Sequence, residues 1–123
     1  MAHTAVGIES KTFNTPDEVR RFEKGKVELV NVAGALIARA TFEPGWKWST
    51  CIKPIANTPS CAAAHFGYQL SGTLVTRMDD GTETTSKAGD VLSIPPGHDA
   101  WVVGNEAVVV IDFQGMANYA KAN

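Results

Sequence analysis

From Gly25 onward the apolar residues fall into short runs, several alternating with polar ones, and each run stops at Gly, Pro, Asn or Asp. This pattern predicts strands over 27–32 (VELVNV), 35–42 (ALIARATF), 46–53 (WKWSTCIK), 64–70 (AHFGYQL), 73–78 (TLVTRM), 82–86 (TETTS), 90–94 (DVLSI), 100–103 (AWVV) and 107–113 (AVVVIDF). The breaks carry turn chemistry: EPG, LSG, KAGD, PPGHD. RMDDGTE sets Asp-Gly between two strands, a hairpin signal. Upstream, Thr15 can cap a helix, Pro16 suits its first position, Glu18 completes a capping box, and Gly25 ends the run DEVRRFEK. A short N-terminal helix is therefore predicted, packing Val19 and Phe22 and leaving Arg20, Arg21, Glu23 and Lys24 in solvent. The tail GMANYAKAN predicts one more short helix. Strands at this spacing indicate an all-β sandwich or barrel rather than alternating β and α units.

Composition narrows the picture further. At 123 residues the chain is one domain, 1–123, with room for one real core. A net charge of −2 gives no electrostatic reason to expect nucleic acid or an anionic membrane as a partner. No apolar run approaches the length of a membrane span, and the first ten residues lack the basic and apolar regions of a signal peptide, so a cytoplasmic protein is expected. Two cysteines, Cys51 and Cys61, are too few for a disulfide framework; in a reducing compartment they are free thiols or metal ligands. No Gly-x-Ser-x-Gly and no phosphate-binding loop occurs.

The order Gly89, DVLSI, Pro95, Pro96, Gly97 matches the second motif of the cupins, Gly-x5-Pro-x-Gly-x2-His, and the segment from Gly45 to Gly72 resembles their first motif, Gly-x5-His-x-His-x3-4-Glu-x6-Gly. The chain thus resembles a small single-domain cupin over roughly residues 40 to 115. The resemblance implies a double-stranded β-helix (jelly-roll) barrel, commonly holding one divalent metal on three imidazoles and a carboxylate. The departures from the motifs bear directly on function. Counted from Gly45, Cys51 and Lys53 stand where His-x-His belongs; counted back from Gly72, His65 stands at the Glu position. Counted back from His65 instead, Pro59 and Cys61 take the two histidine places, and both registers stay open. In the second motif Ala100 occupies the histidine position, with His98 two residues earlier. An even shift preserves the strand face, so His98 can still point inward.

The chain has only three histidines, His3, His65 and His98, the first near the terminus. Imidazole and thiolate together suit zinc first, then iron, nickel or copper. His65 and His98 with one cysteine would leave an open, catalytic-type position; with both Cys51 and Cys61 the site would be closed and structural. Without a metal, His65 and His98 could do acid–base work or line a pocket. Within 46–53, Trp46, Trp48, Thr50 and Ile52 would share one strand face, and Lys47, Ser49, Cys51 and Lys53 the other. If Cys51 points inward, both tryptophans need another surface, such as a homodimer partner. Tyr68 and Trp101 are candidates for a substrate pocket. Asp112, within VVVIDFQG, is expected to face solvent.

The expected protein is a cupin that binds a divalent metal through His65, His98 and a cysteine. It would act on or bind a small polar metabolite such as an enol, carboxylate or sugar derivative. If it is an enzyme, a lyase, isomerase or dioxygenase type is expected, with His65 and His98 as the catalytic candidates. The alternatives are a non-catalytic ligand-binding or sensing module without a functional metal, and a structural dimeric domain.

Overall fold

The structure is a computed structural model and describes residues 7–121; His3 lies outside the described residues. Among the described residues nine strands form two antiparallel sheets. They are β1 (Glu18–Phe22), β2 (Gly25–Val32), β3 (Ala35–Phe42), β4 (His65–Ser71), β5 (Thr73–Met78), β6 (Glu83–Lys87), β7 (Val91–Ile94), β8 (His98–Val103) and β9 (Val108–Asp112). The larger sheet runs β1-β2-β3-β9-β4-β7 and the smaller β6-β5-β8. The alternation read from sequence sets the faces: Val27 and Leu29 of β2, Ala38, Ala40 and Phe42 of β3, and Val108 and Val110 of β9 point inward against Leu74, Ala100 and Val102 of the other sheet.

Residues 18–22 are a strand, not the helix the capping box predicts. Glu23 and Lys24 make a tight hairpin, Lys24 adopting φ 61°, so that Phe22 pairs with Gly25 and Glu18 with Leu29. Tertiary pairing overrides a local helix signal here: an edge place on the sheet buries Arg20 and half-buries Phe22, and Val19, which the expected helix would have packed, is exposed. Gly25 ends no helix; a Cβ there would run into the Phe22 ring and the Thr41 carbonyl.

Residues 46–53 are not a strand either. They lead into two single-turn helices, α1 (Trp48–Cys51) and α2 (Lys53–Ala56), ended by Asn57 in the left-handed region at φ 57°. Trp48, Cys51 and Ile52 are buried at helical spacing, and Trp46 is buried just ahead of them. The choice between inward cysteine and inward tryptophans does not arise in a helix: both tryptophans and Cys51 enter the core together. Asp99 of β8 accepts the free Ser49 N–H at 3.0 Å, holding α1 over one end of the barrel. The C-terminal segment forms turns rather than a helix among the described residues.

This tail is tied to β1. Arg20 is buried and uses all five of its N–H donors, bonding the carbonyls of Met116, Ala117 and Tyr119 at 2.7–3.0 Å and both oxygens of Glu18 at 2.8 and 3.2 Å. The guanidinium in this way closes the tail over the barrel interior.

Candidate functional site

Three elements bring Cys61, His65 and His98 together. An antiparallel bridge pairs Cys61 with His98: Cys61 N–H donates to the His98 carbonyl at 2.8 Å and Gly97 N–H to the Cys61 carbonyl at 2.7 Å. Directly opposed residues put their side chains on one face. Because β8 begins at His98, this histidine shares the inward face with Ala100 and Val102 and is only 3% exposed. His65 opens β4 and faces inward with Gly67 and Gln69. One ligand atom from each of Cys61, His65 and His98 lies within 4.8 Å of the others, and Cys61 Sγ is 3.7 Å from His65 Nε2.

The outward nitrogens are both engaged. His98 Nδ1 lies 2.8 Å from the Pro95 carbonyl, which can only accept, so Nδ1 carries the proton and Nε2 offers its lone pair. His65 Nδ1 lies 2.7 Å from Asp112 Oδ2. Asp112 is 2% exposed, so the expectation that it faces solvent is corrected: it stands opposite Gly67 and its carboxylate turns inward to His65. A Cβ on Gly67 would collide with the Ile111 carbonyl. The tail crosses the same spot, since Gly115 has φ 80° and a Cβ there would come 2.8 Å from His65 Nδ1.

These contacts set the protonation states. Burial works against the Cys61 thiolate, but hydrogen bonds with His65 and His98 and the positive charge of His65 outweigh it and bring the thiol down to about 6. Burial likewise opposes charge on His65, and its bonds to Asp112 and Cys61 prevail, raising the imidazole to about 9. Tyr119, whose ring meets the His65 ring edge-on at 5.6 Å, is pushed well above the usual phenol range, by burial first and then by the nearby Cys61 and Asp112 charges. It stays a neutral hydroxyl.

The donor set fits a metal ion. Two ligands on a tetrahedral zinc, one sulfur and one nitrogen, are about 3.5 Å apart given bond lengths of about 2.3 and 2.0 Å; Cys61 Sγ and His65 Nε2 are at 3.7 Å. Both imidazoles have the other nitrogen anchored to an acceptor, the arrangement that orients metal-binding histidines. Cys51 is buried in α1 and takes no part in this group. Of the pocket candidates, Tyr68 is exposed on the outer face of β4, and Trp101 is half-buried on β8 beneath the Lys47 ammonium, 5.2 Å from its ring centroid. The residues that do line the cavity beside the cluster include Trp46, Trp48, Met116 and Tyr119. Sequence reading missed Asp112, Met116 and Tyr119 as site residues; an acid inside the apolar run VVVIDF was the available signal for the first.

No family model matches the chain, and no curated protein matches its sequence. Solved structures do match its fold. A cupin-like protein from Thermotoga maritima is 19% identical with a TM-score of 0.53, over 79% of this chain and 73% of that one. An RmlC-like cupin from Shewanella frigidimarina is 14% identical with a TM-score of 0.55, over 82% of this chain and 86% of that one. A Lactobacillus farciminis oxalate decarboxylase, solved as its formate complex, is 20% identical with a TM-score of 0.58, over 83% of this chain but 32% of its own length. At these identities the likeness speaks for the fold, and with the two-sheet topology it makes this chain an all-β jelly-roll barrel with the fold of the cupin superfamily.

Proposed function

We propose that this protein holds one divalent metal ion, zinc before iron, nickel or copper, on Cys61, His65 and His98, and binds or acts on a small metabolite at the position the three ligands leave open. The observation that carries this reading is the convergence of one thiol and two imidazoles whose outward nitrogens are both fixed by acceptors. A metal on such a set supplies a Lewis acid to a bound polar group. Asp112 would hold His65 in the ligating tautomer, Pro95 would do the same for His98, and Tyr119 and Met116 would keep bulk water from the site.

A second reading uses some of the same atoms. Cys61, His65 and Asp112 stand in the order of nucleophile, base and orienting carboxylate, a metal-free thiol relay. His98 favours the metal: a second imidazole beside the thiol is more than that relay requires. Elemental analysis of protein purified without chelator separates the two. About one metal per chain is expected in wild type and in Cys51→Ser, and a loss of it in Cys61→Ser and in His65→Ala with His98→Ala. Substoichiometric metal in wild type, unchanged in the double variant, would overturn the metal reading.

The burial of Trp46 and Trp48 removes the surface expected to pair two copies. We propose instead that a homodimer forms through the outer face of β7, β4 and β9. There Tyr68 lies between Val91 and Ile111, Phe66 lies beside Phe113, and Leu70 follows at the β4 bulge. Phe66, Tyr68, Leu70, Val91 and Phe113 are each about half exposed or more, on the order of 500 Å² of apolar surface per copy. Two such faces approach the size of a specific interface. Two free cysteines and no described helix able to cross a membrane are compatible with a cytoplasmic location, which is proposed as well.

A further inference from the structure

The chamber beside His65 and His98 does not end at its own walls. Thr76, Leu92 and Ile94, which line it, also line a second cavity of about 170 Å³, against about 50 Å³ for the chamber itself. This cleft lies between Thr76, Met78, Thr84 and Ser86 of the small sheet and β7 with Pro95 of the large one. It begins beside both histidines: Ile94 stands opposite His65 across the β4–β7 pair, and Met78 opposite His98 across the β5–β8 pair. Among the described strands β6 and β7 are each outermost in their sheets, so no hydrogen-bonded ladder closes the gap between them.

The inner face of a sheet is ordinarily apolar, yet this one carries hydroxyls. Thr76 pairs with Thr84 on one side and Ala100 on the other, and Ser86 pairs with Leu74, so all five share the inner face. Thr76 is 8% exposed, and no described protein group bonds its hydroxyl. Among the described residues the unpartnered side-chain atoms sealed from water are Trp46 Nε1 and Gln69 Oε1 alone, so the Thr76 hydroxyl opens into the cavities that the residue lines. Ser86 is buried too, and its hydroxyl makes one long bond, to the Leu74 carbonyl at 3.4 Å. Valine would fill the place of Thr76 without leaving a buried polar atom to satisfy. No residue lining the cleft is charged, and Met78, Leu92, Ile94 and Pro95 give it an aliphatic side. A charge seated there would lose water and meet no counter-ion. Hydroxyls both donate and accept, so they suit other hydroxyls.

We infer that the cleft is a second subsite, which takes the uncharged, hydroxylated body of the metabolite while its head occupies the open position beside His65 and His98, and that Thr76 bonds a hydroxyl of that body. This deepens the metal-site reading above and rests on it for the head alone. Thr76 is two residues along β5 from Met78, roughly 7 Å from the level of His98. The bonded hydroxyl therefore lies a few carbons from the head, and the recognised class is a short acid whose remaining carbons carry hydroxyls.

Calorimetric titration of the zinc-loaded protein with 3,4-dihydroxybutanoate and with butanoate separates body from head. The dihydroxy acid is expected to bind more tightly. Its advantage should fall about three- to tenfold in Thr76→Val, the worth of one hydrogen bond, and survive in Thr76→Ser. Zinc content and butanoate affinity should stay at the wild-type level in both variants, since valine replaces only a hydroxyl by a methyl and suits a strand. An advantage that is absent in wild type, or unchanged in Thr76→Val, would overturn the inference, water then satisfying the hydroxyl. Erythritol, which has no head, tests the cleft without metal. In chelated protein it should shift the amide resonances of residues 76 and 84 in wild type and not in Thr76→Val. Those shifts in a protein that takes up no zinc would sink the metal reading and keep the cleft; full zinc content with neither the shifts nor a Thr76 effect would do the reverse.

Discussion

Replacing Asp112 by Asn tests the link between the buried carboxylate and the cluster with almost no change in shape. Asp112 takes the His65 Nδ1 proton on Oδ2 at 2.7 Å and the Gln114 backbone N–H on Oδ1 at 2.9 Å. In Asp112→Asn the amide oxygen stays with Gln114, since a backbone N–H needs an acceptor, and the amide NH2 then faces His65. Two donors cannot share one bond, so the neutral His65 ring, the form a metal needs, keeps its proton on Nε2, the atom that faces Cys61. The nitrogen required for the metal is thereby blocked. Loss of such a supporting contact costs about 10- to 100-fold in metal affinity, about 1.4–2.7 kcal/mol, and the tautomer change puts this variant at the upper end. Competition for zinc with a chromophoric chelator at neutral pH reads the affinity, and nitrogen NMR of the His65 ring reads the tautomer. In the metal-free variant the His65 pKa should fall from about 9 toward the ordinary imidazole value, since the carboxylate that raised it is gone. Affinity within twofold of wild type, with Nδ1 still protonated, would refute the assigned role of Asp112.

The metal-free protein should show a compensating pH dependence. His65, raised to about 9, contributes stability present below the ordinary imidazole value and lost as pH rises through 9; Cys61, lowered to about 6, contributes stability present above the ordinary thiol value and lost as pH falls through 6. The two slopes oppose each other, so urea unfolding should vary little between pH 6.5 and 9 (about the span of these values) on account of this pair. Cys61→Ser leaves only the part of the His65 slope that Asp112 sustains and should lose on the order of 2 kcal/mol across that range relative to wild type; parallel profiles would contradict the coupling. On the outer face, Phe66→Glu with Tyr68→Glu should convert a dimer to a monomer in sedimentation while the metal content stays unchanged. A wild-type protein that sediments as a monomer would sink the dimer proposal.

The strands were legible wherever alternation and turn chemistry agreed. The segments 35–42 and 73–78 fall where the pattern puts them, because each has one face in the core and a glycine, proline or Asp-Gly turn at its ends. The failures share a physical cause. Thr15 to Glu18 carries a helix-start signal that sheet pairing overrules, and Trp48, Cys51 and Ile52 carry a helical spacing hidden by aromatics that also suit strands. In the site, the parity of His98 was readable, since an even shift preserves the face and the residue lies inward. Cys51 and Cys61 were not separable, because counting residues cannot follow a chain through two turns of helix. Asp112 was misread because a lone acid in an apolar strand gives no hint of a partner 47 residues away.

The tie between Arg20 and the tail joins groups 96 to 99 residues apart. Among the described strands β1 is an edge strand, bonded to β2 alone. Met116 and Tyr119 also line the cavity, so a single guanidinium fastens both the N-terminal edge of the sheet and one wall of the barrel interior.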